Sequence, residues 1–172
     1  RKALAEGDFK NAEAMLGRPY QMQGKVVHGR KNGRTIGFPT ANIPLKRLKS
    51  PLHGVFAVTV ELEKTAALPC EQSEHLSPRA EGSELHRPQG PNREAFKGVA
   101  NLGTRPTLNG DEVQLEVHLF DFSGNLYGQR VTVTPVAKLR AEQRFASLEH
   151  LKQQIEKDAA RAKQLLAHEA ER

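Results

Sequence analysis

The stretch from Thr107 to Phe122 reads TLNGDEVQLEVHLFDF. Near its start stands Asn109-Gly110, the strongest short hairpin signal a sequence offers, because both residues tolerate the positive φ of a two-residue turn. The residues after that signal alternate. Val113, Leu115, Val117 and Leu119 fall on one face of a strand, and Gln114, Glu116, His118 and Phe120 on the other. A hairpin with one apolar face must bury that face against further elements, so the fold turns on how many more strands the chain supplies.

Working outward, GVFAVTVEL (Gly54–Leu62) is β-branched and alternating, a second strand. FKGVANLG resumes strand character at Phe96, and QMQGKVVHG supplies a short strand with Val26 and Val27. QRVTVTPVAKL is a further strand, which Pro135 places at an edge or a bulge because proline cannot donate to the ladder. From about Lys64 to Ala95 the chain mixes Pro, Gly, Ser, Glu and Arg without periodicity, which reads as a mobile insertion in a hairpin. SLEHLKQQIEKDAARAKQLLAHEAER predicts an amphipathic helix behind a Ser147 cap, with Leu148, Leu151, Ile155, Ala159, Ala162 and Leu166 on its apolar face. The first twenty residues predict a short helical piece whose apolar face, Leu4, Phe9, Ala12, Met15 and Leu16, is interrupted near Gly7-Asp8 and ended by Gly17 and Pro19. Short strands joined by turns and followed by one helix predict a mainly β fold, a small antiparallel barrel with a C-terminal α-helix.

Length and composition narrow the function. At 172 residues the chain fits one domain with a real core, while 37% hydrophobic residues and no Trp point to some solvated loop or tail. The single Cys70 excludes an internal disulfide and suits a reducing compartment, with the cytoplasm as the default address. No apolar run is long enough to cross a membrane, and no signal segment opens the chain. The start at Arg1 rather than Met suggests a piece of something longer. Lys and Arg exceed Asp and Glu by six and the pI is about 9.6, a balance that attracts nucleic acid, acidic lipid or nucleotide phosphates.

The segment GKVVHGRKNGRTIGFPTANIPL (Gly24–Leu45) carries the densest chemistry. Gly29, Gly33 and Gly37 permit close backbone approach to phosphate oxygens, with Arg30, Lys31 and Arg34 nearby. Thr40 and Asn42, two apart, project to one side of an extended segment and offer neutral hard oxygens, suited to a magnesium ion balanced mainly by nucleotide phosphates. By pattern alone a Gly/Pro turn with a basic rim accounts for the stretch as well. It lacks the ending of a Walker loop and the strand-to-helix setting of a dinucleotide fingerprint. Glu116 is an ordinary solvent-facing carboxylate unless the glycine-rich segment covers its face, in which case it is a candidate general base. Asp121 is the second candidate, and His118 shares the face of Glu116. Arg140, Glu142, Gln143 and Phe145 precede the last helix and offer either a ring and polar groups to a ligand or a lead-in whose Phe145 joins the core. The histidines show no metal-ligand spacing, and a lone Cys makes zinc a poor fit.

Taken in order, GRPYQMQGKVVHGRKNGRTIGFPTANIPL, SPLHGVFAV, GVANLGTRPT, LEVHLFDF, LYG and KLRAEQRFASLEHLKQQI resemble the riboflavin kinase module of bacterial bifunctional FAD synthetases, from about Gly17 to Leu166. Pro39-Thr40-Ala41-Asn42 is that family's hallmark. The resemblance implies a six-stranded antiparallel Greek-key β-barrel with a C-terminal helix over residues 17–172. It implies that residues 1–16 are the helical remnant of a linker from an absent N-terminal FMN adenylyltransferase domain. It implies transfer of the ATP γ-phosphate to the 5′-hydroxyl of riboflavin, giving FMN and ADP, with FMN adenylylation expected only in the full-length bifunctional protein. By the same resemblance, Glu116 is the catalytic base, and Thr40 and Asn42 hold Mg²⁺ together with ATP. Gly29, Arg34 and Tyr127 contact the nucleotide, and Arg140, Gln143 and Phe145 lie in the segment that closes over the flavin. Neither nucleic acid nor membrane is an implied partner, and the Lys64–Ala95 insertion is longer than the family pattern leads one to expect. Two readings compete: a basic small β-barrel that binds nucleic acid, and a barrel that holds flavin without turning it over. Against the first, the seven Phe and two Tyr do not gather into a stacking platform on one strand pair.

Overall fold

The alternating segments form six strands: β1 (Met22–Lys25), β2 (Ala41–Pro44), β3 (Gly54–Leu62), β4 (Glu94–Thr107), β5 (Gly110–Leu119) and β6 (Arg130–Arg140). The structure is a computed structural model, and it describes residues 1–29, 37–45, 50–63, 94–107, 110–143 and 145–169. Residues 64–93 of the expected insertion, together with Arg34 and Cys70, lie outside them. The strands form one antiparallel sheet in the order β1-β6-β3-β4-β5-β2. Its two edges meet where Val27 N–H donates to the Asn42 carbonyl at 2.9 Å, so the sheet curls into a nearly closed barrel.

The period-two pattern decides which side chains go inside. Val113, Leu115, Val117 and Leu119 point into the barrel beside Ile43, Phe56, Leu102 and Val133. Helices α1 (Lys2–Glu6) and α2 (Phe9–Leu16) pack on the same core through Leu4, Ala12 and Phe9, whose ring meets Phe56 edge-on at 5.9 Å. The break between them falls at Gly7, which takes a left-handed φ of 83°, and Asp8 caps α2 by accepting from Asn11 N–H at 3.0 Å. Met15 and Leu16, expected on the apolar face, are exposed instead. A helix of eight residues presents only about two turns, and its inward positions are already taken by Phe9 and Ala12.

The outer face of the sheet carries the second core. Helix α3 (Leu148–Glu169) lays Ala162 and Leu166 on Val55, Ala57, Val99 and Leu139. Burying Leu166 there contributes about 1.5–3 kcal/mol. Ser147 Oγ accepts from His150 N–H at 3.3 Å, as its predicted cap role requires. Leu148 departs from the predicted apolar stripe: it is 65% exposed and stands outside the outer cluster, in the helix turn that precedes the packed region.

Of two strand details, the structure selects one of the alternatives read for Pro135 and departs from the reading at the hairpin turn. Pro135 does not lie on an edge strand, because β6 sits between β1 and β3; it marks a bulge, where pairing shifts from Val58–Pro135 to Ala57–Ala137. The β4–β5 hairpin closes with Thr107 opposite Gly110, so Gly110 opens β5 and is not a turn residue; residues 108 and 109 lie outside the described set. An Asn109-Gly110 turn would have set Glu116 opposite Gly103. The observed register sets it opposite Asn101.

Candidate active site

Directly opposed residues on antiparallel strands project to the same face. Following the register from strand to strand, Asn42 on β2 opposes Glu116 on β5, which opposes Asn101 on β4. Asn101 opposes Val55 on β3, and Val55 opposes Arg140 on β6. All five lie on the outer face in a single row. Four steps of about 4.8 Å put its ends roughly 19 Å apart along the sheet. The predicted metal-side residue stands at one end, the predicted flavin-side residue at the other, and the candidate base lies between.

At the β2 end, Asn42 is 6% exposed and its amide is held from two sides. Its Oδ1 accepts from Gln114 Nε2 at 2.7 Å and its Nδ2 reaches the Thr40 carbonyl at 3.4 Å. Gly29 passes so close that any Cβ would overlap the Asn42 amide, so the chain must be bare there. Thr40 is half-buried, and the segment before it is fastened to β5: His118 Nδ1–H donates to the Pro39 carbonyl at 2.9 Å, and Phe38 meets the His118 ring edge-on at 5.2 Å. A carbonyl only accepts, so this bond fixes the proton of His118 on Nδ1. The Thr40 side opens into a cavity of about 330 Å³ at the barrel mouth, lined by Val26, Thr40, Ala41, Phe122, Leu126 and Tyr127. The exposed His28 ring stacks on Tyr127 at 3.7 Å.

At the β6 end, Arg140 is engaged with α3. Its Nε and Nη2 both donate to Asp158 Oδ2, at 2.9 and 2.8 Å, and Asp158 Oδ1 accepts from Gln154 Nε2 at 2.9 Å. The same guanidinium donates to the Ala141 carbonyl at 3.1 Å and lies 5.5 Å from the centre of the Phe145 ring. Phe145 and Gln143 line a second cavity, of about 310 Å³, with His150, Gln154 and Lys157. The Glu142 carboxylate lies over β4, where a Cβ on Gly103 would meet it. The segment after β6 therefore crosses the outer face of β4.

A family model for riboflavin kinase, flavokinase, matches residues 16–166. The chain belongs to the riboflavin kinase family. It is 47% identical over 163 residues to the bifunctional riboflavin kinase/FMN adenylyltransferase of Haemophilus influenzae, covering 95% of this chain and 44% of that protein. The proteins of the same name from Pseudomonas fluorescens and Escherichia coli K12 are 44% and 43% identical, over 100% and 95% of this chain and 46% and 44% of theirs. The chain thus spans less than half the length of these curated relatives. Among solved structures, one described as a macrolide-efflux protein from Streptococcus pneumoniae superposes with a TM-score of 0.66 at 30% identity, over 91% of this chain and 42% of that one. A riboflavin kinase from Trypanosoma brucei superposes with a TM-score of 0.54 at 22% identity, over 87% and 78%, a likeness of fold.

Within this riboflavin kinase family member, the structure gathers the residues singled out from sequence into two groups. Thr40 and Tyr127 line the mouth cavity, with Gly29 and Asn42 packed together at its side, while Gln143 and Phe145 line the cavity against α3. Glu116 stands on the outer row directly opposite Asn42. Arg34 falls outside the described residues. Asp121, the second carboxylate considered, occupies a turn at φ 53° and faces Lys163 of α3 at 4.0 Å, away from Asn42. Asp158, Gln114 and Asn101 escaped the sequence reading. Gln114 carried a usable signal, since it shares the outward face of Glu116 two residues away.

Proposed function

We propose that the chain is a riboflavin kinase, transferring the γ-phosphate of ATP to the 5′-hydroxyl of riboflavin to give FMN and ADP. The observation that carries this reading is the direct opposition of Glu116 and Asn42 on the outer face of the barrel, with Thr40 lining the mouth cavity and Phe145 lining the cavity against α3. Phosphoryl transfer asks little covalent chemistry of a protein; it asks for alignment and for neutralised phosphate charge. The row supplies the alignment. Helix α3 covers Val55, so a flavin ring held by the Gln143–Phe145 segment, which reaches β4 at Gly103, directs its ribityl chain over β4 toward Glu116, with the phosphates of ATP on the Asn42 side. Glu116 accepts the proton of the 5′-hydroxyl as that oxygen bonds to the γ-phosphorus, and the bond from phosphorus to the bridging oxygen of ADP breaks.

Thr40 and Asn42 suit a hard divalent ion. Asn42 Oδ1 has one lone pair occupied by Gln114 and a second left over, and the Thr40 hydroxyl is a neutral oxygen donor. Two neutral protein ligands leave most of the coordination to phosphate oxygens and water, which is how Mg²⁺ is usually held with nucleotides. Mg²⁺ bound there would offset the charge on the transferring phosphoryl group. Gln114 orients the Asn42 amide, Gly29 leaves room for it, and His118 fixes the Pro39-Thr40 segment over the same strand.

The bifunctional relatives support a further activity, FMN adenylylation, in a longer protein of which residues 1–16 would be a linker. Among the described residues no helix is long and apolar enough to cross a membrane. The single cysteine and ATP as co-substrate favour a cytoplasmic address. The deciding experiment is to incubate the chain with riboflavin, ATP and MgCl₂ and to separate the flavins by chromatography. FMN should accumulate in step with ADP. Riboflavin bound but never converted would leave a flavin-holding barrel and overturn the kinase reading.

A further inference from the structure

Of the polar groups on the outer row, Asn42 has its amide oxygen paired with Gln114, and Arg140 is paired with Asp158. Asn101 differs. Its Oδ1 is buried and has no hydrogen-bond partner, and among the described residues it is the one buried side-chain polar atom in that state. A buried amide oxygen without a donor is costly, and an isosteric apolar side chain would avoid the cost. The sequence keeps the amide at the row position next to Glu116, two residues from the Gly103 over which the Glu142 segment passes.

We infer that Asn101 is a substrate-binding residue whose Oδ1 accepts a hydrogen bond from a hydroxyl of the ribityl chain. This rests on the kinase reading for the direction in which the substrate lies. If the ring sits under the Phe145 segment, which reaches the outer face of β4 at Gly103, and the phosphates at the Asn42 end, the polyol between them crosses β4 before it reaches β5. Asn101 is the outward residue of β4 in the row and Glu116 that of β5. A polyol brings hydroxyl donors, which is what an unpaired amide oxygen lacks. Such a contact would hold the chain one strand short of the base, so that the terminal hydroxyl presents itself to Glu116.

The test compares two flavins by fluorescence titration in the presence of Mg-ADP: riboflavin, and lumiflavin, which has the same ring and a methyl group in place of the ribityl chain. Asn101→Leu and the smaller Asn101→Ala both remove the oxygen, the second covering the case in which leucine does not fit. Each should bind riboflavin at least tenfold more weakly than the wild type while binding lumiflavin equally well, and the leucine variant should melt no lower than the wild type. Unchanged riboflavin affinity in the variant that folds, or an equal loss for both flavins, would overturn the inference. Because the readout is binding, it stands apart from turnover: a wild-type protein that binds riboflavin but makes no FMN counts against the kinase reading and leaves the comparison of the two flavins intact.

Discussion

Glu116→Gln is expected to fold as the wild type does, to bind riboflavin and Mg-ATP with little change, and to lose roughly 10²–10⁴-fold in kcat, the usual contribution of a positioned general base. The substitution keeps the size and polarity of the side chain, and the β5 ladder on either side is formed by backbone groups that it leaves alone. It removes the capacity to take the hydroxyl proton. The loss should therefore appear in kcat with KM nearly constant, the pattern of an interaction made in the transition state. Single-turnover FMN formation, with thermal melts as the control for folding, measures it. Turnover near the wild-type value would remove Glu116 from the mechanism and leave alignment alone to explain the rate.

The second large effect is on stability. Asp158→Ala strips the partner from Arg140, whose side chain is 19% exposed, and also leaves Gln154 Nε2 without its acceptor. Breaking a buried pair by removing one member costs about 3–5 kcal/mol, and the partial exposure of Arg140 puts this case near the lower end. For a domain of this size a loss of roughly 3 kcal/mol lowers Tm by roughly 6–12 °C. Replacing both members with apolar residues, Arg140→Met with Asp158→Leu, should recover most of it, because no unpaired charge is then left. A Tm unchanged in Asp158→Ala would mean that solvent screens the pair, as it does most surface ion pairs. Since the same guanidinium underlies Phe145, the single variant should also weaken riboflavin binding, even at temperatures where it stays folded.

The strands were legible because burial on one face writes itself into sequence every second residue, as at Val113, Leu115, Val117 and Leu119. Helix α3 was legible for the corresponding reason at Ala162 and Leu166. The roles proposed for Thr40, Asn42 and Glu116 rest on a resemblance carried by several motifs in order; from the residues alone, a Gly/Pro turn and an outward carboxylate fit equally well. What sequence could not supply was the register. Local preference put the turn at Asn109-Gly110, and the chain instead pairs Thr107 with Gly110, which moves Asn101 and not Gly103 beside Glu116. Nothing in GVANLG marks its asparagine as different from any outward strand residue. Asp158 was hidden in the same way. It is one acidic position on a heavily charged helix, and its partner lies 18 residues back at the end of β6, brought near only when α3 docks on the sheet. Arg140 was singled out for a flavin-side role, and its place beneath Phe145 became visible only with that docking.

The central claim is spatial: one row on the outer face of the barrel holds the metal-side amide, the carboxylate and the ribityl chain in that order. A crystal structure with riboflavin, ADP and Mg²⁺ tests it most directly. The predicted result has the 5′-oxygen of the ribityl chain within hydrogen-bond distance of the Glu116 carboxylate, the metal on Thr40 and Asn42, and the flavin ring against Phe145. A flavin bound elsewhere, with the Glu116 carboxylate turned to bulk water and the metal away from Thr40 and Asn42, would contradict it.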